Sequence, residues 1–237
     1  MTLLKSFFMP IKLVTFDLDD TFWDCEPVIL KAESIFFAWL ECEYPDIASS
    51  FTPQTIVEHR RAVFAKCDEN KHDFSFLRKR WLGVLGQEFG YGEALVESGF
   101  EIFWRARNDV TLYPTVLKML EKLRGSYQLA TITNGNADVY RIGIGHWFDA
   151  VVTAADANCA KPSGGIFDYA LRQLGVRAEE AVHVGDDPIN DVMGAKNHGM
   201  RSIWVNPKRL PWRYDGAPDA DIPNVGELVS ALNSLSE

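Results

Sequence analysis

The sequence predicts an α/β fold: a parallel sheet with helices on both faces, interrupted after its first strand by an all-helical insert. Three observations carry this. Residues 11–16 form a short apolar run rich in β-branched side chains, which reads as a buried strand. From there to about residue 108, apolar residues recur at helical spacing and no convincing strand intervenes. From Tyr113 onward, helix and strand patterns alternate, as a parallel sheet requires.

Taken in order, the strand at 11–16 is followed by a turn over 22–27. Val28, Ile29, Ala32, Ile35, Phe36 and Trp39 then mark one face of a first helix. Thr52-Pro53 is a helix start, with a hydroxyl at the cap and Pro at the first position, and Ile56, Val57, Val63 and Phe64 give its apolar face. Further helices are expected over 74–89 and 93–107. The alternating part reads as a helix at 114–124 closed by Gly125, a strand at 127–133, a strand at 150–154 and a helix at 163–174 closed by Gly175. A strand at 181–185, a helix at 188–198 closed by Gly199, a strand at 201–205 and a helix at 225–235 complete it. Residues 207–223 are Pro-rich and aperiodic and read as a surface loop. The expected division is a sheet core from 1–24 and 109–237 and a helical insert from 25–108.

A chain of 237 residues with 47% hydrophobic and 24% charged residues can bury a full core. Its net charge of -9 argues against nucleic acid as the main partner, and means that any phosphate site needs local positive charge. Cys25, Cys42, Cys67 and Cys159 have no metal-type spacing and are expected to be free thiols in a reducing cytoplasm. No apolar run is long enough for a membrane span. Residues 1–10 make a poor signal peptide, and Met9 directly precedes the first strand, so 1–8 could be an extension before the true start.

The residues able to do chemistry fall at the ends of the expected strands, the edge where open α/β sheets bind ligands. The first strand runs into Asp17-Leu18-Asp19-Asp20-Thr21. Carboxylates at i and i+2 share one side of an extended chain, and they repel unless a cation lies between them or one holds a proton. Asp17 can act as a nucleophile toward phosphorus, and Asp19 can carry the proton as general acid and then general base. A hard cation with oxygen ligands, Mg²⁺, would offset the repulsion between Asp17 and a phosphate. Asp20 is expected to hydrogen-bond the turn. Thr133-Asn134-Gly135 offers a hydroxyl and backbone N–H groups suited to phosphate oxygens. Lys161, before Pro162, can balance a phosphoryl oxygen and Asp17 together. Asp186 can bind the metal, and Asp187 or Asp191 can orient its waters or hold Lys161, although Asp187 also fits as a helix cap. Trp23 is expected at the mouth of the site. Most insert aromatics read as packing, Arg78-Lys79-Arg80 as a solvated face, and Arg105 and Arg107 as candidates for substrate phosphate or a hinge.

Together these four stretches, in this order, resemble the signature motifs of the haloacid dehalogenase superfamily of phosphotransferases. The resemblance implies a Rossmann-like core with a helical cap inserted after the first strand. It implies Asp17 as nucleophile, Asp19 as acid/base, Thr133 and Asn134 on the phosphate and Lys161 balancing charge. The metal would be held by Asp17, the Asp19 carbonyl and Asp186, with Asp187 and Asp191 nearby. True haloacid dehalogenases resemble one another in lacking the second Asp, so Asp19 favours phosphoryl transfer. The expected function is a Mg²⁺-dependent phosphatase of a small phosphoester; a phosphomutase and a non-catalytic binding protein on the same fold are the alternatives. Phe16 to Asp24 with Pro27-Val28-Ile29, and Ile132 to Ala137, look like the capped bacterial phosphatases of the flavin pathway. That resemblance implies flavin mononucleotide or its ribityl-phosphate precursor as substrate.

Overall fold

In a computed structural model of the chain, which describes residues 9–235, the core is a six-stranded sheet. Its strands are β1 (Leu13–Phe16), β2 (Gln128–Thr133), β3 (Ala150–Thr153), β4 (Ala181–Gly185), β5 (Arg201–Val205) and β6 (Ala220–Ile222). They are ordered β3-β2-β1-β4-β5-β6, and every neighbouring pair is parallel. The expectation concerning residues 1–8 lies outside the described residues.

Strand alternation assigns the faces. Val14 and Phe16 point to one side and pack with Val182, Val184 and Ile203 against α6 (Val116–Leu123) and α11 (Leu228–Ser234). Leu13, Ala130, Ile132 and Ala181 point to the other and meet Ile166, Phe167 and Ala170 of α9 (Gly164–Leu174). Because both faces are covered, the strands read as continuous apolar runs rather than alternating ones. β1 lies between β2 and β4, so the chain departs in opposite directions on its two sides. Such a switch point opens a crevice at the C-terminal strand ends, and Asp17 follows β1 directly.

Between β1 and α6 run α1 (Cys25–Glu43), α2 (Pro45–Ser50), α3 (Pro53–Ala65), α4 (Phe74–Glu88) and α5 (Ala94–Arg107). They bury an apolar cluster of their own, with Phe36, Leu40, Trp81, Leu82, Leu85 and Phe103 at its centre. Thr52 caps α3 through a reciprocal hydrogen-bonded pair with Thr55, and Asp73 caps α4 by accepting from Ser75 and Phe76 N–H. The chain returns to the sheet at Asn108, whose side chain bonds the Trp104 carbonyl and the Asp138 N–H.

Several elements differ from expectation. Residues 220–222, within the stretch read as a surface loop, form β6 at the sheet edge. Three residues are too few to show an alternating period, and the pairing with β5 is supplied by the main chain, as in Asn206 N–H to the Ile222 carbonyl. The helix expected over 188–198 divides into a π-helical segment, Pro188–Met193, and α10 (Gly194–Asn197). Asp187 opens it by accepting from both the Ile189 and Asn190 N–H groups. Short helices α2, α7 (Val139–Ile142) and α8 (Ala154–Ala157) were not anticipated, since four to six residues carry no readable helical period. The four cysteines are free thiols. Among the described residues, no helix is long and apolar enough to cross a membrane.

Candidate active site

Asp17, Asp19, Thr133, Lys161, Asp186 and Asp191 line one crevice of about 240 Å³ at the C-terminal edge of the sheet. Asp17 leaves β1 still in register, its N–H bonded to the Val184 carbonyl at 2.9 Å. Its carboxylate accepts from Lys161 Nζ at 2.6 Å, and the same ammonium donates to Asp191 at 2.6 Å. Lys161 is thus a buried cation shared by two carboxylates. Burial alone would lower its pKa, but Asp17 and Asp191 reverse this and raise it, so it stays charged.

The loop after β2 holds that lysine in place. The Asn134 amide accepts from Lys161 N–H at 2.7 Å and donates to the Lys161 carbonyl at 2.9 Å. Its oxygen and one of its two amide hydrogens are thus engaged with Lys161, leaving the second amide hydrogen and the backbone N–H for the anion expected there. Thr133 Oγ1 accepts from Gly135 N–H at 3.0 Å. A Cβ at Gly135 would stand 2.7 Å from Asp19 Oδ2, so the loop approaches the Asp19 carboxylate only because residue 135 has no side chain.

Behind Lys161 lies a second buried row. Asp191 also pairs with His183 Nε2 at 3.2 Å and accepts from Asp187 N–H at 2.9 Å; His183 Nδ1 meets Thr15 Oγ1 at 2.8 Å. Burial would raise the Asp191 pKa, but Lys161 and His183 override it and hold the carboxyl well below the usual range. His183 was not singled out from the sequence. The available signal was one imidazole inside the apolar run Ala181-Val182-His183-Val184, and Thr15 sits opposite it in register on β1.

Asp19 has a separate environment. Its Oδ1 accepts from the Trp23 indole at 2.9 Å and its Oδ2 from Arg107 at 2.6 Å. Trp23 is fully buried, so it does not stand at the mouth of the site as the sequence suggested. The turn folds back through Phe22 N–H to the Leu18 carbonyl, which sends the indole into the core and its N–H to Asp19. The aromatic that does line the crevice is Phe74, at the first turn of α4. Arg107, at the last turn of α5, serves the acid rather than a free surface. Asp20 adopts a left-handed backbone and accepts from Cys25 N–H, and Asp187 acts as the cap of the following segment.

One oxygen each of Asp17, Asp186 and Asp191 lies within 4.8 Å of the others. Burial first, and then Asp191 and Asp20, push the Asp186 carboxyl up to about 7. Burial also raises Asp17, outweighing the pull of Lys161, with Asp191 and Asp186 adding to the rise. A single ammonium leaves this carboxylate group under-compensated, and an all-oxygen set of this kind fits a hard divalent cation. Asp191 is engaged at Oδ1 by Lys161 and His183 and at Oδ2 by Asp187 N–H, so Asp17 and Asp186 are the less committed carboxylates of the three. The Asp19 carboxylate is held by Trp23 at one oxygen and Arg107 at the other, each taking one of its lone-pair positions.

Comparisons with known proteins agree with this architecture. Residues 11–199 match the family model described as haloacid dehalogenase-like hydrolase. The chain is 31% identical over 233 residues to the 5-amino-6-(5-phospho-D-ribitylamino)uracil phosphatase YigB of Escherichia coli, covering 94% of this chain and 96% of that one. It is 34% identical over 166 residues to the phosphoserine phosphatase of Thermus thermophilus, covering 64% and 66%. Among solved structures, a protein described as 2-haloacid dehalogenase from Pseudomonas syringae superposes with a TM-score of 0.89 at 39% identity, covering 94% of this chain and 99% of that one. A six-stranded parallel sheet bearing these motifs at its C-terminal edge, matched over most of its length by that model, makes this chain a member of the haloacid dehalogenase-like hydrolase family.

Proposed function

We propose that the chain is a Mg²⁺-dependent phosphatase that hydrolyses a small phosphomonoester through an aspartyl-phosphate. The observation that carries the reading is the separate support of two carboxylates at one strand end: Asp17 on Lys161, Asp19 on Arg107 and Trp23. Asp17 attacks phosphorus, forming an O–P bond as the ester O–P bond breaks. Asp19 gives its proton to the leaving alkoxide and then takes one from the water that cleaves the acyl phosphate. Lys161 offsets charge on the phosphoryl oxygens, with the Thr133 hydroxyl and the backbone N–H groups of the 133–135 loop beside it. Asp17, Asp186 and the Asp19 carbonyl would hold Mg²⁺, which when bound supplies positive charge against the phosphoryl group. The helices between Cys25 and Arg107 act as a cap that keeps bulk water from the crevice.

The similarity to YigB supports the ribitylaminouracil phosphate, or flavin mononucleotide, as substrate. The likeness to a chain described as a dehalogenase supports a second reading, in which Asp17 attacks a halogen-bearing carbon. A halide leaves without a proton, so the first step of that chemistry has no use for an acid at Asp19, whereas an alkoxide leaving group needs one, and phosphoryl transfer is preferred. The test is release of inorganic phosphate, and of chloride from 2-chloropropionate, with Mg²⁺ and with EDTA. Phosphate release that disappears in EDTA and in Asp17→Asn is expected. Chloride release without phosphatase activity, or phosphatase activity that survives Asp17→Asn, overturns the reading; transfer between positions of one sugar without free phosphate makes it a mutase.

A further inference from the structure

A second cavity of about 240 Å³ opens beside the crevice, and Asp19, Phe74 and Gly135 line both. Its walls come from four helices of the insert. Glu33 stands on α1, Arg60 on α3, Arg78 on α4 and Arg107 at the end of α5, with Phe64 and Phe103 as apolar walls. The electrostatics contrast with the crevice. There, six aspartates face one lysine; here, three guanidiniums face the carboxylates of Glu33 and Asp19. The cavity is locally cationic in a chain of net charge -9.

The excess is not neutralised within the protein. Arg60 and Arg78 both bond the same oxygen of Glu33, while Arg107 is spent on Asp19. A guanidinium has five N–H donors, so donors far outnumber acceptors in this cavity. One nitrogen of Arg78 and one of Arg107 are buried without a hydrogen-bond partner. Burial, and after it the neighbouring Arg60 charge, lower Arg78 to about 10 against the pull of Glu33. Burial, and after it Asp19, push the Cys25 thiol in the same wall up to about 12, which disfavours the thiolate there.

We propose that this cavity receives the non-phosphate end of the substrate, and that Arg60 and Arg78 select an end group presenting carbonyl-type oxygens on a plane, such as a carboxylate or a cyclic imide. Guanidinium forks match paired planar oxygens better than the separate, non-planar hydroxyls of a polyol, and have nothing to match in a hydrocarbon. The volume limits that group to a single ring or a short acid chain, below the size range of drug-sized ligand pockets. Phe74, at the junction of the two cavities, is placed to flank the segment that joins the end group to the phosphate. The proposal rests on the phosphatase reading and names the substrate class for it.

The test compares kcat/KM with Mg²⁺ for ribitylaminouracil phosphate (imide), 3-phosphoglycerate (carboxylate), glycerol 3-phosphate (polyol) and phenyl phosphate (hydrocarbon). At least one oxygen-bearing substrate is expected to exceed both controls by about 10- to 100-fold, the worth of a hydrogen bond to a charged donor. Which one does so separates the imide from the carboxylate. In Arg60→Gln and Arg78→Lys that ratio falls toward one. Absence of all phosphate release refutes the phosphatase reading and this proposal together. Turnover of phenyl phosphate with no preference in the wild type, or with a preference that persists in both variants, leaves the phosphatase reading standing and overturns the assignment of the cavity. Should Arg78→Lys fail to fold, the wild-type ranking and Arg60→Gln, whose side chain is partly exposed, decide the matter.

Discussion

Replacing Asp19 with alanine tests the proton-transfer role and the wiring beneath it in one protein. The Arg107 side chain is 2% exposed and that of Asp19 20%. Removing one partner of a buried ion pair strands the other charge in a low dielectric, at a cost of roughly 3–5 kcal/mol. Water reaching the Asp19 side through the crevice places the expectation at the lower end, about 3 kcal/mol. For a chain of this length that corresponds to a fall in Tm of roughly 6–12 °C. Turnover of an alkyl phosphate should fall by about 10² to 10⁴, the usual worth of general acid–base help. Asp19→Asn retains an acceptor oxygen and should lose the turnover with a smaller loss of Tm. The Asp19→Ala/Arg107→Met double variant should recover much of the stability and none of the activity, because the stranded charge is gone. Thermal unfolding by circular dichroism without Mg²⁺, beside steady-state phosphate release, measures both. An unchanged Tm in Asp19→Ala, or strictly additive losses in the double variant, would show that Arg107 does not depend on Asp19.

Metal binding should be linked to protons at Asp186. Its carboxyl, near 7 in the metal-free fold, binds a proton that the unfolded chain has already released above about pH 4, so this group's stabilisation is full below that pH and is lost as pH rises through 7. Mg²⁺ takes the place of that proton, so its increment in Tm should be larger at pH 8 than at pH 5; equal increments would argue against Asp186 as a ligand. Trp23→Phe removes the indole N–H from Asp19 within a fully buried site, and should lower kcat about tenfold at nearly constant KM. A raised KM with kcat unchanged would mean that the indole touches substrate after all.

The sheet and the four motif stretches were legible because each depends on local pattern: an apolar strand, then acids, a Thr-Asn-Gly turn, a Lys-Pro pair or a Gly-Asp-Asp run. What those residues touch was not. Trp23 reads as an aromatic at the mouth of the site until the Leu18–Trp23 turn is seen to reverse the chain and bury it. Arg78-Lys79-Arg80 reads as a charged face, yet Arg78 is buried, paired with Glu33 and stacked on Phe103. The signal was there in part: Arg78 lies on the helical stripe of Leu77, Trp81 and Leu85 that builds the insert's apolar cluster. Its partner on α1 is 45 residues away, and no local pattern encodes that pairing. His183 was hidden for the same reason, since its meaning depends on Thr15 from a neighbouring strand and Asp191 from the segment beyond.

The division of labour follows from where each charge is anchored. Asp17, Asp186 and Asp191 hang from the ends of β1 and β4 and the segment just after β4, and Lys161 from the loop beyond α8 that Asn134 ties to the end of β2; none of them stands on the insert. Glu33, Arg60, Arg78 and Arg107 each stand on a different helix, and their pairing is also what holds charged groups inside the insert. The cluster around Lys161 can therefore keep its geometry while the neighbouring cavity changes. The reverse does not hold, since a change at Glu33 strands two arginines and disturbs the packing of three helices at once. Arg107 links the insert to the crevice: it closes α5 and it holds Asp19. A shift of the insert relative to the sheet therefore reaches the Asp19 carboxylate through one guanidinium, with Gly135 leaving the room for that contact.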